Sequence, residues 1–240
     1  MLKRQKTHAY DNPKLYMVGV PIGNMDDMTY RAVETLKMVD VIYCEDTRVT
    51  LKLLNHFGIE KPLRSYHTFN ENEITENLLD LIKKGNNVAV VSDAGMPIIS
   101  DPGFLAVRDA IKNDVDVVVV PGACAFITAL VGSGISSNRI TFTGFLNAGD
   151  NKRRKELEKL KDLPETLILY ESPHRIKETL EMLVDLMPDR HICLARELTK
   201  KYEEYLHGTP KEILEVVDEI KGEIIFEKEF SHIFLLKSEI

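Results

Sequence analysis

The sequence predicts a two-domain α/β protein, with a mostly parallel sheet in the N-terminal half and a mixed sheet in the C-terminal half. Short runs of β-branched residues alternate with helical periodicity from about residue 15 onward, the pattern of strands connected through helices. The 240 residues exceed a typical single domain of roughly 100 to 150 residues. Short spacers between the last predicted strands favour antiparallel pairing, since parallel strands need longer crossovers.

The N-terminal half carries the clearest strand pattern. Continuous apolar runs are typical of strands that are buried on both faces of a sheet. Four such runs cover residues 15–20, 41–44, 88–92 and 115–120.

Helices are predicted between these strands. Ile74, Leu78 and Ile82 recur at helical spacing, and either Asn70 or Asn72 would cap that helix. Gly85 is placed to end it in a left-handed conformation. A further helix is predicted near Ala106.

The best domain boundary is the turn at Pro121 and Gly122, where a predicted strand gives way to a helix of small residues over 123–131. We therefore predict an N-terminal domain over 15–122 and a C-terminal domain over 123–240. Residues 1–14 are polar and basic, and they are predicted to form a flexible tail.

The C-terminal half repeats the alternation less regularly. Thr209, Pro210 and Glu212 form a capping-box pattern that predicts a short helix. Strands are predicted over residues 141–145, 166–171, 191–196, 202–207, 223–230 and 233–237.

Composition excludes several classes of protein. The 31 basic and 38 acidic side chains give a net charge of −7, which argues against a protein that coats nucleic acid electrostatically. The sequence has no signal-peptide core and no apolar run of the roughly 20 residues that span a bilayer, so we expect a cytoplasmic protein without a membrane partner. Cys44, Cys124 and Cys193 fit neither a disulfide framework nor a metal site, and we expect buried free thiols.

Loops rich in glycine follow the predicted N-terminal strands. Residues 19–24 (Gly-Val-Pro-Ile-Gly-Asn) form either a simple turn or a ligand loop, and they match neither the dinucleotide nor the P-loop pattern. Residues 92–103 combine two glycines, two prolines and two acids, which favours a ligand-binding path over a plain connection. Residues 121–125 supply another turn on the same edge.

Residues 45–48 (Glu-Asp-Thr-Arg) end the second predicted strand and allow two interpretations. In the first, Asp46 or Thr47 caps a helix and Arg48 pairs with Glu45. In the second, Arg48 presents its planar guanidinium to a phosphate or a base, held in place by the acids. Both interpretations place charge at the carboxyl end of a strand.

Basic residues follow the C-terminal strands. The run at 152–155 (Lys-Arg-Arg-Lys) is either a solvated helix face or the contact for an anionic partner. Residues 170–175 (Tyr-Glu-Ser-Pro-His-Arg) favour a functional loop, with Ser172 as helix cap and Pro173 as first helical residue. Arg196, Lys200 and Lys201 follow the next strand. Several cationic side chains are thus expected on one side of the C-terminal half.

Five motifs then match a known pattern. They are Pro-Ile-Gly-Asn at 21–24, Glu-Asp-Thr-Arg at 45–48, Asp-Ala-Gly at 93–95, Ser-Asp-Pro-Gly at 100–103 and the loop at 170–175. Together with residues 15 to about 222 they resemble the ribosomal RNA small subunit methyltransferase I family, in the tetrapyrrole methylase-like superfamily. The resemblance implies a homodimer that transfers a methyl group from S-adenosylmethionine to the ribose 2′-hydroxyl of a cytidine in the decoding centre of 16S rRNA.

The resemblance also implies where the methyl donor binds: in a cleft between the two domains. Its first-domain residues would be Pro21, Asp93, Ala94, Gly95, Ile98 and Ser100. Its other residues would be Cys124, Ala125, Phe145, Leu146 and Ala195. No metal is needed, because a sulfonium donor carries its own leaving group and the transfer depends on in-line positioning.

A ribose hydroxyl is a weak nucleophile, so a general base would help its attack. Glu45, Asp46, Glu171 and Lys200 are the candidates, because of their positions at strand ends. Arg48, His174, Arg175 and Arg196 are the candidate contacts to RNA phosphates.

Three rival functions remain at this point. A related methylase could act on a tetrapyrrole-like small molecule or on a protein. A metal-dependent phosphoesterase could use Asp46, Asp93 and Asp101 to hold Mg²⁺. A catalytically inactive subunit could bind the nucleotide alone.

Overall fold

The structure is a computed structural model that describes residues 2–7, 11–67, 71–217 and the backbone of 232–237. It divides into two units, Met1–Cys124 and Ala125–Ile240. Within the described residues, none of the helices has the length and apolar character needed to cross a membrane.

The N-terminal unit is built on a five-stranded sheet in which every pair of neighbours is parallel. The strand order is β3-β2-β4-β1-β5. The strands are β1 (Leu15–Val18), β2 (Val41–Cys44), β3 (Leu63–Ser65), β4 (Val88–Val91) and β5 (Val117–Val120).

Helices cover both faces of this sheet. They are α1 (Tyr30–Met38), α2 (Thr47–His56), α3 (Glu71–Lys83) and α4 (Phe104–Lys112), with a short 3-10 helix at Met25–Asp27. Alternate strand residues face opposite sides, so Val88 and Val90 pack with apolar residues of α3 and α4. Ala89 and Val91 pack with those of α1 and α2. This burial on both faces explains the continuous apolar runs in the sequence.

The C-terminal unit has a mixed five-stranded sheet in the order β6-β7-β10-β8-β9. β6 and β7 are parallel, β10 is antiparallel to both β7 and β8, and β9 is antiparallel to β8. The strands are β6 (Ile140–Phe145), β7 (Thr166–Glu171), β8 (His191–Arg196), β9 (Glu204–Gly208) and β10 (His232–Lys237).

The described residues of this unit form four helices: α5 (Ala125–Gly132), α6 (Asp150–Leu160), α7 (Ile176–Leu186) and α8 (Pro210–Val216). Leu157 of α6, Leu180 of α7 and Ile213 of α8 share one core cluster with Leu169. The capping box of α8, with Pro210 in its first turn, confirms the prediction for that helix.

Several predicted bounds need correction. Residue 72 lies inside α3 rather than at its cap, and residue 70 is outside the described residues. Gly85 has a φ of 98°, as predicted for a left-handed helix end. The α7 helix begins at Ile176, because the carbonyl of Ser172 first accepts the Arg175 N–H in a turn. The predicted strand over 223–230 also lies outside the described residues.

Candidate functional site

The acidic rim is our name for the four loops that follow β1, β2, β4 and β5: residues 19–24, 45–48, 92–103 and 121–124. The carboxyl ends of parallel strands share one edge of the sheet, and so these loops lie side by side. The Val20 N–H donates to the Gly95 carbonyl at 2.9 Å. The Asp46 N–H donates to Asp93 Oδ1 at 2.8 Å. Neighbouring loops are therefore joined by hydrogen bonds.

Two glycines allow the first and last of these loops to touch. A Cβ at Gly122 would lie 2.8 Å from the carbonyl carbon of Gly19, and one at Gly19 would lie 2.7 Å from the Gly122 nitrogen. A Cβ at Gly95, whose φ is 78°, would lie 3.1 Å from Cγ2 of Ile22. Only glycine permits the backbone contact between residues 19 and 122, and the positive φ at residue 95 favours glycine there.

Carboxylates concentrate negative charge on the acidic rim. Burial, together with the nearby charges of Glu45 and Asp93, raises the pKa of Asp101 to about 7, although a hydrogen bond with Ser92 opposes the shift. An Asp carboxyl with this pKa holds its proton part of the time at neutral pH. Such an environment favours a ligand that carries positive charge.

The loop after β4 has an unusual backbone. Ile98 and Ser100 have positive φ angles of 78° and 68°, a conformation that residues other than glycine rarely adopt. The buried Ser92 hydroxyl donates to the Ala94 and Gly95 carbonyls at 3.1 and 3.3 Å. Strain of this kind persists where surrounding contacts fix it, and it concentrates at ligand sites.

Asp46 performs the capping role of the first interpretation. Its carboxylate accepts the Arg48 backbone N–H at 2.8 Å and binds the Arg48 guanidinium through Nε and Nη2. These bonds hold the pKa of Asp46 well below its ordinary value. The Arg48 side chain remains 86% exposed, so its outer face is open to a ligand as the second interpretation requires.

The arginine rim is our name for the loops that follow β6, β7 and β8: residues 145–147, 171–175 and 196–201. Because β10 is antiparallel to both β7 and β8, those two strands run in the same direction, and β6 is parallel to β7. Their carboxyl ends meet at one edge. The structure thereby brings the predicted C-terminal residues together within their own unit.

Glu171 anchors Arg175 on this rim. The Glu171 carboxylate is fully buried; its Oε1 lies 2.6 Å from Arg175 Nη2 and accepts the Ser172 N–H at 2.7 Å. Its Oε2 accepts the Thr179 hydroxyl at 2.6 Å. Because both carboxylate oxygens already accept hydrogen bonds, Glu171 is better suited to hold Arg175 in place than to accept a proton from a substrate.

The other cationic candidates are placed differently. Arg196 is 12% exposed and binds Glu204 of the neighbouring strand at 2.7 Å. Lys200 Nζ lies 3.6 Å from Glu197. The His174 side chain is exposed, and its backbone N–H donates to the Ser172 hydroxyl. Arg175 and His174 are therefore the more accessible of these candidates.

The predicted donor residues of the second half occupy apolar surroundings. Phe145 is half exposed and lies edge-on to Tyr170, with ring centroids 5.4 Å apart. Leu146 and Ala195 are buried. Cys124 is half buried, unlike the buried Cys44 and Cys193, which corrects the expectation of three buried thiols; Ala125 begins α5.

Asp101 of the acidic rim and Glu71, the first residue of α3, received no role in the donor site from the sequence. Asp101 could have been found, because it is the second acid of a loop that already holds Asp93. Glu71 could not, because its contacts with the rim join residues more than 30 positions apart.

The described residues contain no group of three His, Cys, Asp or Glu side chains placed to hold a metal ion. The Asp46 carboxylate, one of the three acids of the Mg²⁺ hypothesis, is occupied by Arg48.

Known proteins are similar to this chain in sequence or in fold. Residues 14–214 match the family of tetrapyrrole (corrin/porphyrin) methylases. A Bacillus subtilis (strain 168) protein named Ribosomal RNA small subunit methyltransferase I is 48% identical over 227 residues, covering 93% of this chain and 78% of that protein. A Haemophilus influenzae protein of the same name is 48% identical over 216 residues, covering 88% and 76%.

Two solved structures illustrate the fold. Diphthine synthase has a TM-score of 0.71 at 13% identity, over 95% of this chain and 91% of that chain. Uroporphyrin-III C-methyltransferase from Thermus thermophilus, complexed with S-adenosyl homocysteine, has a TM-score of 0.62 at 21% identity, over 94% and 97%. At such identities the likeness shows the fold alone, and it confirms the predicted tetrapyrrole methylase-like class. The sequence matches establish that this chain belongs to the tetrapyrrole methylases and, within them, to the ribosomal RNA small subunit methyltransferase I family.

Proposed function

We propose that the protein transfers a methyl group from S-adenosylmethionine to the ribose 2′-hydroxyl of a cytidine in the decoding centre of 16S rRNA. The observation that carries the proposal is the 48% identity with proteins named for small-subunit rRNA methylation. The acidic rim and the arginine rim support it, because one suits a cationic donor and the other suits phosphates.

The residues of the acidic rim fit the methyl donor. When bound, S-adenosylmethionine supplies a methyl group activated on a positively charged sulfonium. Asp93 and Asp101 provide the opposite charge, and the backbone of Ala94, Gly95, Ile98 and Ser100 provides hydrogen-bonding groups along an irregular path. Pro21 joins this path, since its carbonyl accepts the Gly95 N–H at 3.4 Å. We assign Cys124, Ala125, Phe145, Leu146 and Ala195 to the same donor on the basis of the resemblance.

The arginines are assigned to the RNA backbone. A planar guanidinium held by a carboxylate matches phosphate geometry, which is the state of Arg48 with Asp46 and of Arg175 with Glu171. His174 extends the second of these sites. Arg196 is the weakest candidate because it is largely covered and paired with Glu204.

Among the four base candidates we assign proton abstraction to Glu45. Glu45 is half buried beside Asp101, where partial loss of water favours proton transfer.

Single-turnover methylation tests that assignment. Glu45→Gln should slow the chemical step by roughly 10²-fold or more, the usual contribution of a general base. Asp46→Asn and Lys200→Gln are the comparison variants. An unchanged rate for Glu45→Gln would remove Glu45 from the mechanism.

The net charge of −7 bears on the form of the substrate. An acidic protein gains little from general attraction to RNA, so structured RNA must contribute through its shape. We therefore expect faster methylation of an assembled or nearly assembled small subunit than of naked 16S rRNA. Equal rates on the two substrates would contradict this.

Assembly as a homodimer in the cytoplasm is part of the proposal, as the resemblance implies. On α5, Ile127 and Val131 are 43% and 80% exposed, an apolar surface that a partner would cover. Light scattering should give twice the 27.3 kDa of the chain.

One experiment tests the whole proposal. The protein is incubated with labelled S-adenosylmethionine and small subunits from cells that lack the enzyme, and the product nucleotide is mapped by mass spectrometry. Label on the ribose of one cytidine is the expected result. Label on a base, on a ribosomal protein or on no component would overturn the assignment.

A further inference from the structure

Helix α4 begins without a cap from its own residues. Its N-cap is Gly103, which has a φ of 129° and no side chain to accept a hydrogen bond. A Cβ at this position would lie 3.1 Å from both Ile98 and Met17, so a serine or an aspartate is disfavoured there. The first N–H groups of α4 therefore need an acceptor from elsewhere.

Glu71, the first residue of α3, supplies that acceptor. Its Oε1 accepts the backbone N–H groups of Gly103 at 3.1 Å and Leu105 at 3.2 Å. The same oxygen accepts the hydroxyl of the buried Tyr66 at 3.1 Å, and that hydroxyl is also hydrogen-bonded by the backbone of Ala106. One carboxylate and one phenol thus cap the helix across the fold.

These bonds fix one end of the rim loop that follows β4. The loop ends at Gly103, and the two strained residues Ile98 and Ser100 lie only five and three positions earlier. Backbone in such conformations keeps its shape only if its surroundings hold it. Asp101 lies two positions before the anchored glycine.

We propose that Glu71 is a positioning residue for the methyl donor. Its hydrogen bonds to the backbone of Gly103 and Leu105 fix the conformation of residues 98–103, and Glu71 itself does not contact the donor. The inference rests on the proposed function, because it requires that this loop binds S-adenosylmethionine. Glu71 would then act on donor affinity and leave the transfer step unchanged.

Three variants test the inference by calorimetric titration with S-adenosylmethionine. Glu71→Ala removes the acceptor, and it should weaken donor binding roughly ten-fold, the size of effect expected from the loss of a helix cap. Glu71→Gln keeps an oxygen at the same place and should restore most of the affinity. Glu73→Ala, an exposed acid in the first turn of the same helix, is the matched control and should bind as wild type does.

Two further measurements separate positioning from general destabilisation. Hydrogen exchange at the amides of Gly103, Leu105 and Ala106 should accelerate in Glu71→Ala and not in Glu73→Ala. In steady-state methylation the donor KM should rise while kcat stays constant. If Glu71→Ala does not fold, Glu71→Asp, whose carboxylate is one methylene shorter, should bind the donor more weakly than Glu71→Gln.

The outcomes are distinct. Wild-type affinity in Glu71→Ala, or in Glu71→Asp where that variant replaces it, overturns the inference and leaves the proposed function standing. An equal loss in Glu73→Ala also overturns it. Absence of donor binding by the wild-type protein removes both the inference and the proposed function.

Discussion

The acidic rim and the arginine rim are both formed by the carboxyl ends of strands, yet they are held together in different ways. In the N-terminal unit, backbone meets backbone at Gly19 and Gly122, and carboxylates crowd around Asp101. On the arginine rim a fully buried carboxylate holds a cation, as Glu171 holds Arg175, whereas in the Asp46–Arg48 pair of the acidic rim the arginine is 86% exposed. Under the proposed function, the first rim would approach a small cationic ligand closely, and the second would present charge to a large anionic one.

The largest expected effect comes from the buried anchor of the arginine rim. Glu171→Ala leaves the Arg175 guanidinium and the Thr179 hydroxyl without their acceptor, and it should lower the free energy of unfolding by about 3 kcal/mol. Glu204→Ala removes the more exposed partner of Arg196 and should cost about 0.5 kcal/mol. Urea unfolding gives both values. If the two variants lose the same unfolding free energy, the burial of Glu171 does not make its pair with Arg175 more stabilising than the pair of Glu204 with Arg196.

The next effect tests backbone packing on the acidic rim. Gly122→Ala places a methyl group 2.8 Å from the backbone of Gly19, and it should cost about 2 kcal/mol of unfolding free energy and weaken donor binding. Gly149→Ala is the control, since its Cβ meets nothing closer than an Asn147 oxygen at 3.7 Å. Thermal unfolding with and without S-adenosylmethionine measures both quantities. A well-tolerated alanine at 122 would contradict the close approach.

A smaller effect depends on pH. The pKa of Asp101 is about 7 in the folded protein, against 3.8 for an ordinary Asp carboxyl, so the native state binds the proton more tightly than the unfolded state does. The contribution of this group to stability is fully present below about pH 4 and is lost as pH rises through 7. Asp101→Asn should therefore gain about 1–2 kcal/mol relative to wild type between pH 5 and pH 8.

Urea midpoints at several pH values measure that gain. Asp80→Asn, an exposed acid on α3, serves as the control. If the difference in unfolding free energy between Asp101→Asn and wild type is the same at every pH in this range, the pKa of Asp101 is not raised on the acidic rim.

The smallest effect on stability is expected at Arg48. Its side chain is 86% exposed, so Arg48→Ala should leave the unfolding midpoint unchanged. If Arg48 contacts an RNA phosphate, kcat/KM for the small subunit should nevertheless fall roughly ten-fold, with little change in donor affinity. Lys84→Ala, an exposed cation at the opposite edge of the same sheet, should change neither quantity.

Much of the fold follows from local patterns. The apolar runs at β2, β7 and β8 gave the correct bounds because each is flanked by polar residues. The strand β3 was missed, because Leu-Arg-Ser at 63–65 has no apolar run and forms a strand only by pairing with β2. The start of α7 was placed too early, since a turn at residues 173–175 uses the same Ser-Pro signal as a helix.

The candidate site was predictable only as far as its loops. Strand ends rich in glycine and charge indicated which loops meet, and the motifs indicated the family. The partner of each charge was not predictable, because Arg48 binds Asp46 and Glu71 reaches Gly103 through geometry that no spacing encodes. The pair of Asp46 and Arg48 shows that the partner of a charge was not predictable even two positions away in the chain.

The central position of β10 has a consequence for the order in which the two sheets form during synthesis. Every strand of the parallel sheet has been synthesised by residue 120, whereas β7 and β8 lack the strand between them until residues 232–237 have been made. A nascent chain that stops short of this strand keeps two unsatisfied strand edges, the kind of surface that chaperones bind and that aggregates grow from. We therefore expect the first unit to mature early in translation and the second only after its last strand emerges.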